Sequence, residues 1–85
     1  MITLNEISHN TEYGYIKLNL KEIMFKKNIS INQLSKMCDV KYDVVAKYYY
    51  NRMQFLSCDI ISKFCYVLNC EVSDLVYHTK KWHIR

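Results

Sequence analysis

The order of apolar and polar residues over positions 30–51 predicts two short helices joined by a tight turn. Ser30 is the predicted N-cap of the first helix, and Gln33, three residues later, is its capping-box partner. Ile29 and Leu34 stand at the two positions of a hydrophobic staple, which fixes the angle at which the chain enters a helix. The first helix of the pair is therefore predicted to begin directly after Ser30.

Leu34 and Met37 are predicted to form the apolar face of this first helix. The turn is predicted at residues 38–40, where Asp39 is one of the few non-glycine residue types that tolerate a left-handed backbone. The second helix is predicted to start near Lys41 and to bury the residues that follow helical spacing. The predicted buried residues are Val45, Tyr48 and Tyr49, and the predicted exposed residues are Lys41, Tyr42, Asp43 and Lys47.

Segments outside this pair carry the signals of further helices. Asn19 is the predicted N-cap of an earlier helix, with Glu22 as its capping-box partner, and Asn28 is suited to end that helix in a left-handed conformation. A fourth helix is predicted over residues 57–68, with Asn69 as its stop, because apolar side chains recur there on one stripe. The stripe consists of Cys58, Ile61, Phe64, Cys65 and Leu68.

The two ends of the chain predict a short strand and one last helix. Ser73 is the predicted N-cap of this short fifth helix. Residues 13–18 alternate enough to predict an extended segment, and residues 77–84 are the candidate partner, because an isolated strand does not persist alone. Residues 1–12 are polar and show no clear period, so a loose arm is expected there.

These elements predict an all-α fold class, a compact domain of five helices with room for a short two-stranded terminal β element. The chain has 85 residues, of which 51% are hydrophobic, which suffices for a single domain with one core. We expect a flexible arm over about residues 1–12, a core over about residues 18–77 and a C-terminal tail over residues 78–85. The predicted centre of the core comprises Leu34, Val45, Ile61, Phe64 and Leu68.

Positive charge is concentrated around the predicted helix pair. The formal net charge of the chain is +4, and basic side chains outnumber acidic ones over residues 26–52. The basic residues there are Lys26, Lys27, Lys36, Lys41, Lys47 and Arg52, and the acidic residues are Asp39 and Asp43. A charge run is often only a solvated face, but this one coincides with the helix pair, where an anionic partner such as DNA would bind.

The composition disfavours several classes of function. No apolar run approaches the roughly 20 residues that span a bilayer, and the N-terminal residues lack the features of a signal peptide, so we expect a cytoplasmic protein with no membrane partner. The cysteines are Cys38, Cys58, Cys65 and Cys70, and the histidines are His9, His78 and His83. The cysteines contain no C-x-x-C pair and are expected to be reduced core residues, not metal ligands. The histidines are scattered and form no catalytic set, so neither an enzyme nor a cofactor is expected.

The motif S-x-x-Q-L-S-x-M-x-D-V-x-Y-x-V-V-x-K-x-Y over residues 30–49 resembles the helix-turn-helix of phage repressors and Cro proteins, the XRE family. The resemblance extends over about residues 18–77 and includes the later N-C-E-V-S-D-L segment. It implies a lambda-repressor-like bundle of five helices whose third helix enters the DNA major groove, usually as a dimer on a palindromic operator. The chain departs from the family at three positions. Asp39 and Asn51 stand where the family usually has glycine, and Ile31 stands where a polar residue is frequent.

The resemblance also implies roles for particular side chains at the DNA surface. The side chains implied in base contacts are Lys41, Tyr42, Asp43, Val44 and Lys47. Lysine can donate to guanine, aspartate can accept from cytosine, and valine or tyrosine can contact the thymine methyl group. The side chains implied in phosphate contacts are Ser30, Gln33, Lys36 and Arg52. Two alternatives stay open, because Asp43 and Lys47 have the spacing of an ion pair and because Ser30 and Gln33 have that of a cap.

The resemblance therefore implies a sequence-specific regulator of transcription that binds double-stranded DNA, expected to be a repressor of phage or mobile-element type. A homodimer is expected, because one recognition helix contacts too few base pairs to select a site. Its predicted interface comprises the end of the fourth helix, the fifth helix and the tail around Tyr77 and Trp82. The alternative is a helix-turn-helix scaffold that binds a protein partner, of antirepressor or nuclease-inhibitor type. The side chains that favour this alternative are Ile31, Asp39, Asp43 and the tyrosines at positions 48–50.

Overall fold

Five helices and a two-stranded antiparallel sheet make up the fold. The computed structural model of the protein describes residues 13–80, so the predictions for the N-terminal arm and for Trp82 lie outside the described residues. The elements in chain order are β1 (Tyr15–Leu18), α1 (Leu20–Lys27), α2 (Ile31–Cys38), α3 (Tyr42–Tyr49), α4 (Cys58–Leu68), α5 (Val72–Leu75) and β2 (Val76–Thr79). The predicted five-helix fold with a terminal β element is confirmed. Among the helices of residues 13–80, none combines the length and apolarity needed to cross a membrane.

Each of the first four helices is followed by an asparagine or aspartate in the left-handed conformation, directly in three of them and after Tyr50 in α3. These residues are Asn28, Asp39, Asn51 and Asn69, with φ angles of 58°, 57°, 56° and 53°. In each case the next residue donates its backbone N–H back into the last turn, for example from Ile29 to the Met24 carbonyl over 3.0 Å. This is the Schellman motif, which usually uses glycine. Asparagine and aspartate can replace glycine there because their short polar side chains tolerate a positive φ.

The start of α2 forms the predicted capping box. The Ser30 hydroxyl accepts a hydrogen bond from the Gln33 backbone N–H over 3.1 Å, and the Gln33 side-chain oxygen accepts one from the Ser30 N–H over 2.8 Å. Two of the backbone donors that a helix start leaves without an intrahelical partner are therefore satisfied. The predicted start of α2 is confirmed.

Asn19 stands at its predicted N-cap position but forms no capping box, and the predicted cap at Ser73 is wrong. The Asn19 side chain makes no capping hydrogen bond, and its backbone N–H instead donates to the Leu75 carbonyl over 2.7 Å, which ties the start of α1 to α5. Helix α5 is capped by Glu71, not by Ser73, because Asp74 is the acceptor that completes a box with the Glu71 N–H. Ser73 therefore lies inside α5, which ends after Leu75 because the chain extends into β2.

The buried side chains form one cluster between the helices, and its predicted centre is confirmed. The buried residues are Leu18, Leu20, Met24, Leu34, Cys38, Val45, Tyr48, Ile61, Phe64, Leu68 and Leu75. Tyr48 and Phe64 meet edge to face, with ring centroids 5.4 Å apart. The Tyr48 hydroxyl accepts a hydrogen bond from the Ser57 backbone N–H over 3.0 Å, so α3 is fixed to the N-cap of α4 by both apolar and polar contacts.

Two predicted core positions are exposed instead. Met37 faces solvent, and Cys38, one full turn after Leu34, takes the place on the buried face of α2. Cys58 is exposed because it is the first residue of α4. The predicted core role is confirmed for Cys38, whose burial raises the pKa of its thiol. Burial also raises the pKa of the partly buried Cys70 thiol, so both groups stay protonated at neutral pH.

The two strands pair at the ends of the described chain. Strand β1 is antiparallel to β2, with Tyr15 opposite Thr79 and Leu18 opposite Val76. The predicted pairing is confirmed, with β2 beginning one residue before the predicted segment. Gly14 has a φ of 78°, and a Cβ atom there would lie 2.2 Å from the Thr79 carbonyl oxygen, so the close approach of the strands requires glycine.

Candidate nucleic-acid interface

Ser35 fixes the turn between α2 and α3. Its carbonyl accepts a hydrogen bond from the Val40 N–H over 3.0 Å, and its hydroxyl donates one to the Val40 carbonyl over 2.5 Å. Val40 is therefore held on both of its backbone polar groups while Asp39 takes the left-handed conformation. A turn with so few free backbone groups sets the angle between the two helices closely.

Helix α3 is anchored by one face and presents the other to solvent. Val45 and Tyr48 are buried against the core, and Tyr49 is half-buried. Four of the five side chains predicted to contact bases lie on the exposed face, and Val44 is half-buried at its edge, packed against the core. The four exposed ones are Lys41, Tyr42, Asp43 and Lys47.

Asp43 and Lys47 do not pair with each other, although their spacing allows an ion pair. Within residues 13–80, the side-chain salt bridge joins Lys63 to Asp59 over 3.3 Å on α4. Asp43 lies in the first turn of α3 and Lys47 in the last, where the helix dipole favours a negative and a positive charge, respectively. Both side chains therefore stay available to an external partner.

The four side chains predicted to contact phosphate are all exposed, at the start and the end of α2 and in the loop after α3. The capping box uses the oxygen atoms of Ser30 and Gln33 as acceptors, so the Ser30 hydroxyl hydrogen and the Gln33 amide NH₂ can still donate to a phosphate. Lys36 lies in the last turn of α2. The Arg52 guanidinium lies over the ring of Tyr50, 5.3 Å from its centroid.

Asn51 has a structural role that the sequence did not predict. Its side-chain oxygen accepts a hydrogen bond from the Leu18 N–H over 2.6 Å, and its side-chain NH₂ donates one to the Leu18 carbonyl over 3.1 Å. The amide thus pairs with both polar groups of Leu18, as a neighbouring strand would. We call these two hydrogen bonds the Asn51 clamp. The clamp fixes the loop that carries Arg52 to β1, across 33 residues of sequence.

The residues before and after α3 offer hydrogen-bond donors to an anionic partner. Over residues 13–80, no three His, Cys, Asp or Glu side chains come together as metal ligands would. In the chain, α3 is preceded by the donors at the start of α2 and followed by Arg52. The DNA major groove is wide enough for an α-helix, and hydrogen-bond donors beside such a helix can contact the phosphate backbone.

Comparisons with known proteins agree with this geometry. The chain is similar to a protein from Bacteroides fragilis whose crystal structure is described as that of a "putative DNA-binding protein", with a TM-score of 0.67 at 17% identity, over 74% of this chain and 100% of that one. At this identity the similarity concerns the fold. No curated protein matches the chain. The family model of the Cro/C1-type HTH DNA-binding domain matches residues 19–81, which is most of the chain. The chain therefore belongs to the Cro/C1-type helix-turn-helix DNA-binding domain family.

Proposed function

We propose that this protein is a sequence-specific regulator of transcription, and more narrowly a repressor of phage or mobile-element type that acts by occupying an operator. The observation that carries the proposal is the exposed face of α3, with unpaired Asp43 and Lys47, on a scaffold fixed by the capping box and by the Ser35 turn. Side chains held on a rigid element can recognise base edges without a large loss of conformational entropy on binding.

The proposed contacts divide into base reading and backbone positioning. Lys41, Tyr42, Asp43 and Lys47 would contact base edges or adjacent phosphates, with Val44 limited to apolar contact at the edge of the helix. Ser30, Gln33, Lys36 and Arg52 would contact phosphates and set the register of the protein on the duplex.

Selection of bound sequences from a random duplex pool tests the proposal directly. A sequence-specific regulator should enrich one motif, and DNase I protection should then map that motif on a longer duplex. A pool that shows no enrichment after repeated rounds, at a salt concentration low enough to permit binding, would contradict the proposal.

Replacement of Lys47 with alanine should weaken specific binding while the fold stays intact. Lys47 is exposed and makes no ion pair with Asp43, so its loss removes no packing contact from the core. A good contact of a charged side chain with a base contributes about 1–3 kcal/mol of discrimination. Titration of the selected duplex and thermal unfolding of the same sample measure the two effects separately.

Lys63→Ala is the control for Lys47→Ala. Lys63 lies on α4, which carries none of the proposed DNA contacts, and pairs with Asp59. Lys63→Ala should leave the discrimination between selected and mixed duplexes unchanged. If Lys47→Ala lowers stability and leaves affinity unchanged, Lys47 is structural and its proposed role is wrong.

We further propose that the protein binds as a homodimer through the end of α4, α5 and the tail around Tyr77. Val72 in α5 is 56% exposed although it is apolar, and it lines an apolar groove of about 390 Å³. The groove is lined by Leu56, Cys58, Ile61, Ser62, Cys65, Val72 and Val76. Two copies related by a two-fold axis would place their α3 helices roughly 34–36 Å apart, one turn of DNA.

Val72→Asp should shift the protein to a monomer and weaken its binding to the selected duplex, because a charge in an apolar interface stays unpaired. Met37→Asp is the matched control for self-association, since Met37 is an apolar residue of α2 that is 54% exposed, nearly the same fraction as Val72, and does not line the groove. Sedimentation of the free protein and of its DNA complex gives the stoichiometry. One chain per site, together with a selected motif without two-fold symmetry, would contradict the dimer.

A scaffold that binds a protein partner is the second candidate function. Large apolar side chains are exposed outside α3, namely Phe25 on α1, Phe55 before α4 and Tyr66 on α4. Such side chains are typical anchors of protein interfaces. The random-pool selection separates the two candidates, because a scaffold that binds only protein should enrich no DNA sequence.

A further inference from the structure

Two cations and two tyrosine rings form a continuous row at the C-terminal end of α3. Tyr49 and Tyr50 meet edge to face, with centroids 4.8 Å apart. The Lys21 ammonium nitrogen, from α1, lies 5.9 Å from the centroid of the Tyr49 ring. The Arg52 guanidinium carbon lies 5.3 Å from the centroid of the Tyr50 ring. We call Lys21, Tyr49, Tyr50 and Arg52 the cation–aromatic row.

The row belongs to the surface and not to the core. Tyr50 is 53% exposed, whereas Tyr48, two residues earlier, is 4% exposed. Lys21 and Arg52 are exposed, and Tyr49 is half-buried. Within residues 13–80, neither cation pairs with a carboxylate. The rings hold the two cations without neutralising them, so the positive charge stays available to an anionic partner.

The row also connects the two groups of proposed phosphate donors. Tyr49 lines a shallow cavity of about 230 Å³ together with Ser30 and Gln33, so its end of the row lies beside the capping box of α2. The other end is Arg52, which follows α3 directly. Lys21 is therefore a cation on the same side of the molecule as the exposed start of α2, although it comes from α1.

We propose that the cation–aromatic row binds the phosphodiester backbone of duplex DNA, with Lys21 as a further phosphate-contacting residue and with Tyr49 and Tyr50 as positioning residues for the two cations. This inference rests on the proposed function, since it assumes that α3 enters the groove beside that backbone. A flexible lysine or arginine loses rotamer freedom when it contacts a phosphate. A ring that already holds the cation reduces that loss.

The salt dependence of binding to a duplex of mixed sequence tests the role of the cations. Each phosphate neutralised by a side chain adds about 0.9 to the slope of log affinity against log salt concentration. Lys21→Gln and Arg52→Gln should each make the slope shallower by about 0.9. The double variant should make it shallower by about twice that amount. Lys63→Gln removes one positive charge from α4, a helix that carries none of the proposed phosphate contacts, and should leave the slope unchanged.

Tyr50 variants test the positioning role. Tyr50→Leu should weaken binding about two- to fivefold, the loss expected for one exposed cation–π contact, while the slope stays nearly the same because Arg52 keeps its charge. Tyr50→Phe keeps the ring and should keep most of the affinity. Tyr13→Leu, just before β1, is the control for loss of an exposed ring, because Tyr13 is 52% exposed, nearly as much as Tyr50. Thermal unfolding of each variant verifies that the fold is retained.

The outcomes separate this inference from the proposed function. If the unmodified protein selects a motif and binds mixed duplexes, but Lys21→Gln leaves the slope unchanged, the row does not bind phosphate and the inference alone is wrong. An equal loss for Tyr50→Phe and Tyr50→Leu would assign the effect to the hydroxyl and overturn the positioning role. If the row variants weaken binding only to the selected motif and not to mixed duplexes, the row contacts bases and the proposed phosphate role is wrong. If the unmodified protein binds no duplex at all, the proposed function itself is wrong.

Discussion

Replacement of Leu68 with alanine should lower the free energy of unfolding by about 2–5 kcal/mol, the range for truncating a buried leucine. Leu68 is the last residue of α4 and is 0% exposed. It lies one helical turn after Phe64, which is also fully buried, so the truncation leaves a cavity in the middle of the core. Domains of this size are stable by roughly 5–15 kcal/mol, and the variant should therefore lose a large part of its stability.

Urea denaturation followed by circular dichroism measures this loss, provided that the dependence on urea keeps the same slope. Tyr66→Ala is the matched control, because Tyr66 lies on the exposed side of the same helix. It should change the stability by less than about 0.5 kcal/mol. A Leu68→Ala protein as stable as the control would contradict the assignment of Leu68 to the core.

Local signals predicted most of the fold correctly. The capping box of Ser30 and Gln33 needs only four consecutive residues, and both of its hydrogen bonds form. The left-handed helix ends at Asn28 and Asp39 depend on the residue type at one position, and both occur. Such features can be predicted because the groups that interact are close in sequence.

The wrong predictions concern groups whose partners lie far along the chain or compete locally. Asn19 has the right side chain for a cap, but its backbone N–H bonds to Leu75, which only the folded arrangement brings near. Ser73 is a good cap by type, yet Glu71 forms the box with Asp74 two residues earlier. Met37 and Cys38 are adjacent apolar residues, and only the direction in which α4 packs on α2 decides which one is buried.

The candidate site was predictable in outline and not in detail. The exposed positions of Lys41, Tyr42 and Lys47 follow from helical period once the buried face of α3 is known. The cation–aromatic row was not predictable, because Lys21 comes from α1 and meets Tyr49 only through packing. The roles of these residues in DNA binding are predictions, which the binding experiments proposed above test.

Loss of the Asn51 clamp should destabilise the protein more than its exposed position suggests. Asn51→Ala removes both hydrogen bonds to Leu18, each contributing about 0.5–1.5 kcal/mol. It also places alanine at a φ of 56°, which costs about 1–2 kcal/mol more. The sum is about 2–5 kcal/mol, comparable with truncation of a core leucine.

Two further variants separate the clamp from the backbone conformation. Asn51→Gly removes the side chain but accepts the positive φ, so it should lose only the contribution of the clamp, about 1–3 kcal/mol. Asn51→Asp keeps the acceptor for the Leu18 N–H and loses the donor to the Leu18 carbonyl, so it should lie between the unmodified protein and Asn51→Gly. The ranking from most to least stable is then asparagine, aspartate, glycine and alanine.

Asn69→Gly provides the matched control, because Asn69 ends α4 at nearly the same φ, 53°, without a side-chain hydrogen bond in residues 13–80. Its effect on stability should stay within about 0.5 kcal/mol. The rate of amide hydrogen exchange at Leu18 reports on the clamp directly. The Leu18 N–H donates to Asn51 and lies on the edge of β1 that does not pair with β2. Asn51→Gly should accelerate exchange at Leu18, whereas Asn69→Gly should not. Equal protection of the Leu18 N–H in the two glycine variants would mean that the Asn51 side chain does not hold β1, and that the loop carrying Arg52 is positioned by α3 alone.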